Sequence, residues 1–177
     1  KRKSIEFENG KWSKDLSVKK KAFVYAKIKA HPRLEKFLGL NEFQRGGQLR
    51  FKLRSGTCLL NIERGRRSQK EEDRMCSVCE LVSEESVEHF LLECPAYVDE
   101  RATLDSKLRE ICGKSSNPDI VRMWTSSDIY ERISVVLGDC AVHAVKDSPV
   151  KPEEIAGDIR SIFHNFLMAI WHKRKLI

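Results

Sequence analysis

The sequence has no run of about 18 consecutive apolar residues, the length that a membrane-spanning helix requires. Its start, Lys-Arg-Lys-Ser-Ile-Glu-Phe, also lacks the apolar stretch of a secretory signal peptide. We therefore expect an intracellular protein, in the nucleus and/or cytoplasm, that has no membrane partner and no small-molecule substrate. The first residue is not Met, so we also expect the chain to be a piece of a longer protein.

A convincing catalytic arrangement is also lacking, since no phosphate-binding glycine loop and no Ser/His/Asp set is evident. Tyr97-Val98-Asp99-Glu100 superficially resembles the Y-x-D-D motif of polymerases. Two-metal phosphoryl transfer, however, needs carboxylates that converge from separate elements, whereas this tetrapeptide opens an ordinary predicted helix. Asn117-Pro118-Asp119 resembles the start of an endonuclease motif but has no acidic-x-Lys partner. We expect the chain itself to be non-catalytic.

Acidic residues are scarce in the first part of the chain. Residues 1–70 contain only 6 Asp and Glu against 20 Lys and Arg, a net charge of +14, whereas residues 71–177 contain 20 against 13, a net charge of −7. This asymmetry predicts that the first part binds a polyanion, most simply nucleic acid. From charge alone, a solvated surface without a partner is an equally good interpretation.

Six cysteines are present, which in a secreted protein would suggest disulfides. Nothing indicates secretion, and three of the six belong to a set with the spacing of metal ligands. We therefore interpret Cys58, Cys112 and Cys140 as free thiols that act as small buried apolar residues.

The strongest motif is a C-x2-C-x9-H-x4-C array formed by Cys76, Cys79, His89 and Cys94. Three thiolates and one imidazole can surround a tetrahedral Zn²⁺ with no open position, which is typical of structural rather than catalytic zinc. A chance arrangement and a C-x2-C redox pair are the alternatives. The redox pair usually accompanies a βαβ pattern, which the sequence does not show.

The spacing within the array constrains the local backbone. On an ideal α-helix, Cys94 would lie about 140° around the axis from His89, because a turn contains about 3.6 residues. We therefore expect the helix to unwind before Cys94, with Pro95 enforcing the break. The second ring nitrogen of His89 also needs an outer acceptor, and Glu85 or Glu93 can provide it.

The predicted fold is mainly α, a small helical domain organised around a structural zinc knuckle. We expect four segments: a basic linker at 1–14, a basic helical segment at 15–70, the CCHC zinc knuckle with its following helix at 71–113, and a C-terminal helical segment at 114–177. The last can form one domain with the preceding parts. Helices are predicted at about 16–30, 33–39, 42–54, 95–112, 119–124, 128–138 and 152–175.

The candidate nucleic-acid contacts lie in two basic stretches, the predicted helix at 42–54 and an exposed loop at 64–70. Arginine suits phosphate because its planar guanidinium can bond bidentately and keeps its charge. The basic tail at 172–175 is interpreted instead as a helix-end feature. The candidate residues are Arg45, Arg50, Lys52, Arg54, Arg64, Arg66 and Arg67.

Two blocks of the sequence resemble the C-terminal region of LINE-type, non-LTR retrotransposon reverse transcriptases. They are Leu60-Asn61-Ile62-Glu63-Arg64-Gly65-Arg66 and Glu88-His89-Phe90-Leu91-Leu92-Glu93-Cys94-Pro95-Ala96-Tyr97. The resemblance implies a zinc-binding module of an RNA-directed DNA polymerase that follows the reverse transcriptase domain and holds template RNA or target DNA during target-primed reverse transcription. By the family motif, the four residues of the array are the ligands. The nine residues between Cys79 and His89 exceed the gap of retroviral zinc knuckles, so base-stacking residues of that type cannot be mapped.

A second hypothesis from a different class remains open. The apolar last helix and the acidic second half are also typical of a zinc-stabilised protein-interaction scaffold, which would dock on the polymerase body or on host proteins.

Overall fold

The computed structural model of the protein describes residues 2–29, 44–115, 118–138 and 152–175. Within these ranges the chain is mostly helical, with one isolated β-bridge and no strand, so the predicted mainly α fold is confirmed. The α-helices are α1 (Arg2–Ser17), α2 (Phe23–Ile28), α3 (Gln44–Ser55), α4 (Asn61–Ser68), α5 (Val98–Ser115), α6 (Asp119–Trp124), α7 (Ile129–Leu137) and α8 (Pro152–Lys175). Shorter turns are the 3₁₀ helices Lys20–Ala22, Glu72–Arg74 and Pro95–Tyr97 and the π turn His89–Glu93.

A hydrophobic core joins the early and late helices of the described chain. Helix α8 packs against α5 and α3, α6 packs against α5 and α7, and α2 packs against α3 and α7. Two of the predicted metal ligands, Cys76 and Cys94, belong to this core. The segment between α4 and α5 that carries them is therefore packed into the fold rather than appended to it.

Helix α8 shows the apolar stripe that its sequence predicts. Residues at helical spacing bury one face, and Ile159 and Ile170 have no exposed surface. At its end, the Lys173 ammonium bonds the Glu100 carboxylate of α5 at 2.9 Å. The basic tail therefore acts partly as the predicted helix-end feature and partly as a clamp on the neighbouring helix.

The expected helices around residues 44–55, 119–124 and 129–137 are also present. Asp128 caps the start of α7, since its carboxylate oxygen accepts the N–H groups of Tyr130 at 2.8 Å and Glu131 at 3.4 Å. This carboxylate satisfies donors that the helix start leaves without backbone partners. Gly138 follows the last residue of the helix.

The segment predicted as a basic linker at 1–14 is helical where the structure describes it, because α1 runs through Asn9-Gly10. The Trp12 ring packs edge-on against Tyr25 with centroids 6.3 Å apart, and this tertiary contact prevails over the turn preference of Asn-Gly. The predicted helix from residue 16 to 30 is instead divided. Ser17 ends α1, donating its hydroxyl to the Lys14 carbonyl at 2.8 Å, and α2 begins at residue 23.

The basic stretch at 64–70 was predicted to be a loop but is mostly helix α4. Gly65 is buried within it and lies against the Arg74 side chain and backbone, leaving no space for a Cβ atom. Gln69, with φ of 59°, then ends the helix in the left-handed conformation. Packing of α4 on the Glu72–Arg74 turn therefore explains the helix, and the arginines stay exposed as predicted.

Helix α3 contains Gly46 although glycine disfavours helix formation, and the reason is its contact with α8. A Cβ atom at Gly46 would overlap the imidazole of His164 on α8, so the glycine permits close approach of the two helices. The helix predicted at 33–39 and the thiol of Cys140 lie outside the described residues. Among those described, no helix combines the length and apolarity needed to cross a membrane.

Candidate metal centre

A short antiparallel bridge positions the first two candidate ligands. Met75 and Glu84 pair across it, and the Cys76 N–H donates to the Ser83 carbonyl at 2.8 Å. The chain between these residues forms a tight loop that also carries Cys79. The C-x2-C spacing thus lies at the closed end of a small hairpin, where both sulfurs can face one point.

A π turn positions the other two ligands. The Cys94 N–H bonds the His89 carbonyl at 2.8 Å, which is the i→i+5 pattern of a π turn. The wider turn places Cys94 about one turn above His89 and so reduces the angular offset of an ideal α-helix. The expected unwinding before Cys94 therefore takes the form of a widened turn, and Pro95 starts the next 3₁₀ helix as a break.

The four predicted ligands converge. One donor atom from each of Cys76, Cys79, His89 and Cys94 lies within 4.8 Å of all the others. The Cys76 and Cys94 sulfurs are 4.0 Å apart, and the Cys79 sulfur is 3.4 Å from Nε2 of His89. Only Cys79 retains appreciable exposure. The cluster can hold a metal ion and leaves no obvious opening for a substrate.

Burial sets the protonation of the cluster in the absence of a cation. It raises the pKa of Cys94 to about 12 and also raises the pKa of Cys76, although N–H groups of Val78 and Cys79 partly offset the effect at Cys76. Burial lowers the pKa of His89, so the imidazole is neutral, as a ligand requires. The thiols of Cys76 and Cys94 are therefore protonated without a cation, and a bound metal would have to displace their protons.

The outer acceptor of His89 was predicted to be Glu85 or Glu93. The structure places a Glu93 carboxylate oxygen 4.0 Å from Nδ1 of His89. This distance permits an electrostatic interaction but is too long for a hydrogen bond. Glu85 is engaged elsewhere. Of the two candidates, Glu93 is therefore the one beside the ring.

Glu85 forms a buried ion pair that sequence reasoning missed. Its carboxylate accepts Nε and Nη2 of Arg174 at 2.5 and 2.7 Å and the Asn61 N–H at 2.6 Å. The Glu85 side chain is 1% exposed and that of Arg174 is 13% exposed. Hydrogen bonding to the carboxylate raises the pKa of Arg174. The pair ties the end of α8 to the start of α4 and to the metal loop, residues 75–84, which the bridge between Met75 and Glu84 closes.

Two predicted nucleic-acid contacts are wrong. Arg50 and Arg54 are 6% and 1% exposed, because their guanidinium groups point into the fold. Arg50 Nε and Arg54 Nη1 donate to the Leu137 carbonyl at 2.9 and 3.0 Å, and Arg50 also bonds Gly138. The last carbonyls of a helix lack backbone donors and carry partial negative charge. These two arginines donate hydrogen bonds to the carbonyls at the end of α7, so their guanidinium groups are not available to phosphate.

The remaining described candidates are exposed. Lys52 projects from α3, and Arg64 and Arg67 project from α4. Arg66 is exposed but pairs with Glu63 at 2.8 Å, one turn away. The side chain of Arg45 lies outside the described residues. The predicted basic surface therefore contains fewer residues than expected, and most of those that remain lie on α4.

Comparison with known proteins adds no identification, because no family model, curated protein or solved structure matches the chain.

Proposed function

We propose that the cluster of Cys76, Cys79, His89 and Cys94 binds a structural Zn²⁺. Around a tetrahedral zinc ion, two sulfur ligands lie about 3.8 Å apart and a sulfur and a nitrogen about 3.6 Å apart, for bonds of about 2.3 and 2.0–2.1 Å. The observed separations of 4.0 and 3.4 Å are close to these values. Three thiolates and one imidazole also suit zinc chemically and leave no open coordination position.

Metal analysis of the purified protein tests this assignment. One zinc per chain is expected, and a Cys79→Ser variant should retain less. Cys58→Ser is the matched control, because Cys58 is buried in the core outside the cluster. Stoichiometric zinc in the Cys79 variant would contradict the ligand assignment.

The chain functions, in this proposal, as a non-catalytic nucleic-acid-binding module. The observation that carries it is the set of exposed arginines on α4 at the edge of the metal loop. Gly65 of that helix lies against Arg74, two residues before the first ligand. A groove of about 640 Å³ beside them is lined by Arg64, Arg67 and Cys76 and also by the acidic Glu72 and Asp73, so the exposed arginines carry the proposal rather than the groove. The metal loop therefore fixes the direction in which these cations point.

The resemblance to LINE-type reverse transcriptases supplies the biological setting of the proposal. In that setting the module follows the reverse transcriptase domain and holds template RNA or target DNA during target-primed reverse transcription. Its own contribution is positional, since the basic helix and the metal loop form one surface. Any polymerase chemistry belongs to the other domain.

A binding titration with RNA and DNA at two salt concentrations tests nucleic-acid binding. Displacement of counterions predicts a slope of log affinity against log salt of about −0.9 per phosphate on duplex DNA and about −0.7 on single strands. Replacing Arg64 and Arg67 by Glu should weaken binding and flatten this slope. The same replacement at the exposed Lys19 and Lys20 is the control. No binding, or binding independent of salt, would contradict the proposal.

A second candidate function is the protein-interaction scaffold. The stripe of α8 no longer supports it, because that stripe is buried within the chain. The metal loop, however, exposes two neighbouring apolar residues, Leu81 at 54% and Val82 at 93%, which a bound protein would remove from water. If replacing both residues by Ser abolishes retention of the reverse transcriptase domain while nucleic-acid binding is unchanged, this function is favoured.

A further inference from the structure

The groove between α3 and α8 combines an aromatic floor with a cationic rim. Leu49, Met168 and Trp171 supply apolar surface, and Lys52, His172 and Lys175 carry the nitrogen groups of the rim, with Gln48 completing the lining. The lining contains no acidic residue. Two other grooves have acidic residues in their linings. The groove beside α4 includes Glu72 and Asp73, and a groove between α5 and α8 includes Glu100.

We infer that this groove binds a nucleotide of a single strand, with its base against Trp171 and its phosphates held by Lys52 and Lys175. The inference rests on the proposed nucleic-acid function and adds a site and a ligand class to it. Proteins that bind single strands without sequence readout combine a cationic groove with aromatic rings on which bases stack. The volume of about 280 Å³ is slightly below the about 300–1,000 Å³ typical of pockets for whole small molecules, so it suits one base.

The surroundings of Trp171 hold its ring in place. Phe90 packs edge-on against it, with centroids 6.1 Å apart and an interplanar angle of 88°. The Arg174 guanidinium lies 5.1 Å from the ring centroid and is fixed by the buried Glu85. A ring held in this way loses little conformational freedom when a base stacks on it, which favours binding.

Lys175 is the part of the groove that can adjust. Its ammonium lies 5.6 Å from the Trp171 centroid, and the side chain is exposed. A lysine on a solvated flexible stem can move from the ring to an arriving phosphate. The Lys175 ammonium therefore marks the face of the Trp171 ring that a base would cover once Lys175 had moved to the phosphate.

Helix α8, which forms one side of the groove, contacts the start of α4. Nη2 of Arg174 donates to the Leu59 carbonyl at 3.0 Å and lies 3.5 Å from Oδ1 of Asn61, the first residue of α4. The end of α8 and the start of α4 are thus in direct contact. The helix that bears the groove is therefore linked directly to the helix that bears the exposed arginines.

Fluorescence of Trp171 tests the site directly. Trp12→Phe and Trp124→Phe leave Trp171 as the only tryptophan in the chain. Titration with oligo(dT) and oligo(U) should quench its emission, because a stacked base contacts the ring. Quenching by both supports a site for any single strand, and quenching by oligo(U) alone supports a site that selects RNA. Duplex DNA should not quench, because its bases are already stacked.

Charge reversal supplies the second measurement. Lys52→Glu with Lys175→Glu should weaken oligo(dT) binding by about tenfold or more and reduce the salt slope by about 1.4, since each phosphate contact on a single strand contributes about 0.7. Lys19→Glu with Lys20→Glu changes the net charge equally and should have a much smaller effect. All four lysines are exposed, so the fold should tolerate both variants.

The outcomes separate this site from the general function. If anisotropy shows that oligonucleotides bind while Trp171 emission stays unchanged and the two lysine variants bind alike, this site is wrong and nucleic-acid binding stands. If no nucleic acid binds the unaltered protein, both proposals fail. Quenching by polyglutamate without quenching by any oligonucleotide would also overturn the site, because it would indicate an acidic protein as the partner.

Discussion

The buried Glu85–Arg174 pair predicts an asymmetric response to substitution at two adjacent residues of α8. Arg174→Met removes the partner of a carboxylate that is 1% exposed. Breaking a buried pair on one side typically costs about 3–5 kcal/mol, because the other charge stays desolvated. Lys173→Met instead breaks a pair with Glu100 whose side chains are 37% and 20% exposed. An exposed pair contributes about 0–1 kcal/mol, so this control should change stability little.

The assay is urea unfolding of the metal-loaded protein, followed by circular dichroism and with the slopes compared between variants. Glu85→Gln combined with Arg174→Met should regain part of the lost stability, since the double variant buries no carboxylate at this position. The loss in Arg174→Met also includes the bond to the Leu59 carbonyl, so it should lie towards the upper end of the range. Equal losses for Lys173→Met and Arg174→Met, or no regain in the double variant, would refute the argument.

Three further predictions concern packing, thiol chemistry and the metal. Gly46→Ala should destabilise by about 1–3 kcal/mol through overpacking. Gly157→Ala in α8, where an added Cβ atom would meet only the Arg160 guanidinium at 3.9 Å, should stabilise by about 0.5–1 kcal/mol; thermal melts check both. Burial raises the pKa of Cys58 from 9.0 to about 11, so its contribution to stability is present below about pH 9 and is lost as pH rises towards 11. Alkylation at pH 8 with mass spectrometry should modify it more slowly than the half-exposed Cys112. Chelation or Cys79→Ser should lower helicity, since metal binding supplies folding free energy; an unchanged melting curve would contradict this.

Features that depend on neighbouring residues were predictable from the sequence. The Asp128 cap needs only a carboxylate two or three residues before unsatisfied N–H groups, and the structure shows those bonds. The stripe of α8 needs only helical spacing of apolar residues. The convergence of the metal ligands follows in the same way, because all four lie within a short stretch whose turns are set locally.

Features that depend on distant parts of the chain were not predictable. Arg50 and Arg54 have the composition of a phosphate-binding helix, but their fate depends on carbonyls that are 83 to 88 residues away in sequence. No local sequence pattern distinguishes an arginine that donates hydrogen bonds to the last carbonyls of a distant helix from an arginine that faces solvent. Glu85 and Arg174 are 89 residues apart and pose the same difficulty. The π turn was missed for a different reason, since it is local. The spacing shows that an ideal α-helix cannot align His89 with Cys94, but it does not show which backbone conformation replaces the helix.

Glu85 connects these distant contacts to the metal centre. The carboxylate follows the strand-like segment that closes the metal loop, and it bonds the first residue of α4 and the end of α8 together. A metal that fixes the loop therefore fixes Glu85, and through Glu85 it holds the two helices that carry the exposed arginines and Trp171. Metal removal should thus weaken nucleic-acid binding although no proposed contact is itself a metal ligand. Arg174→Met should produce a similar loss of affinity with the metal still bound, because it breaks the same connection on the opposite side.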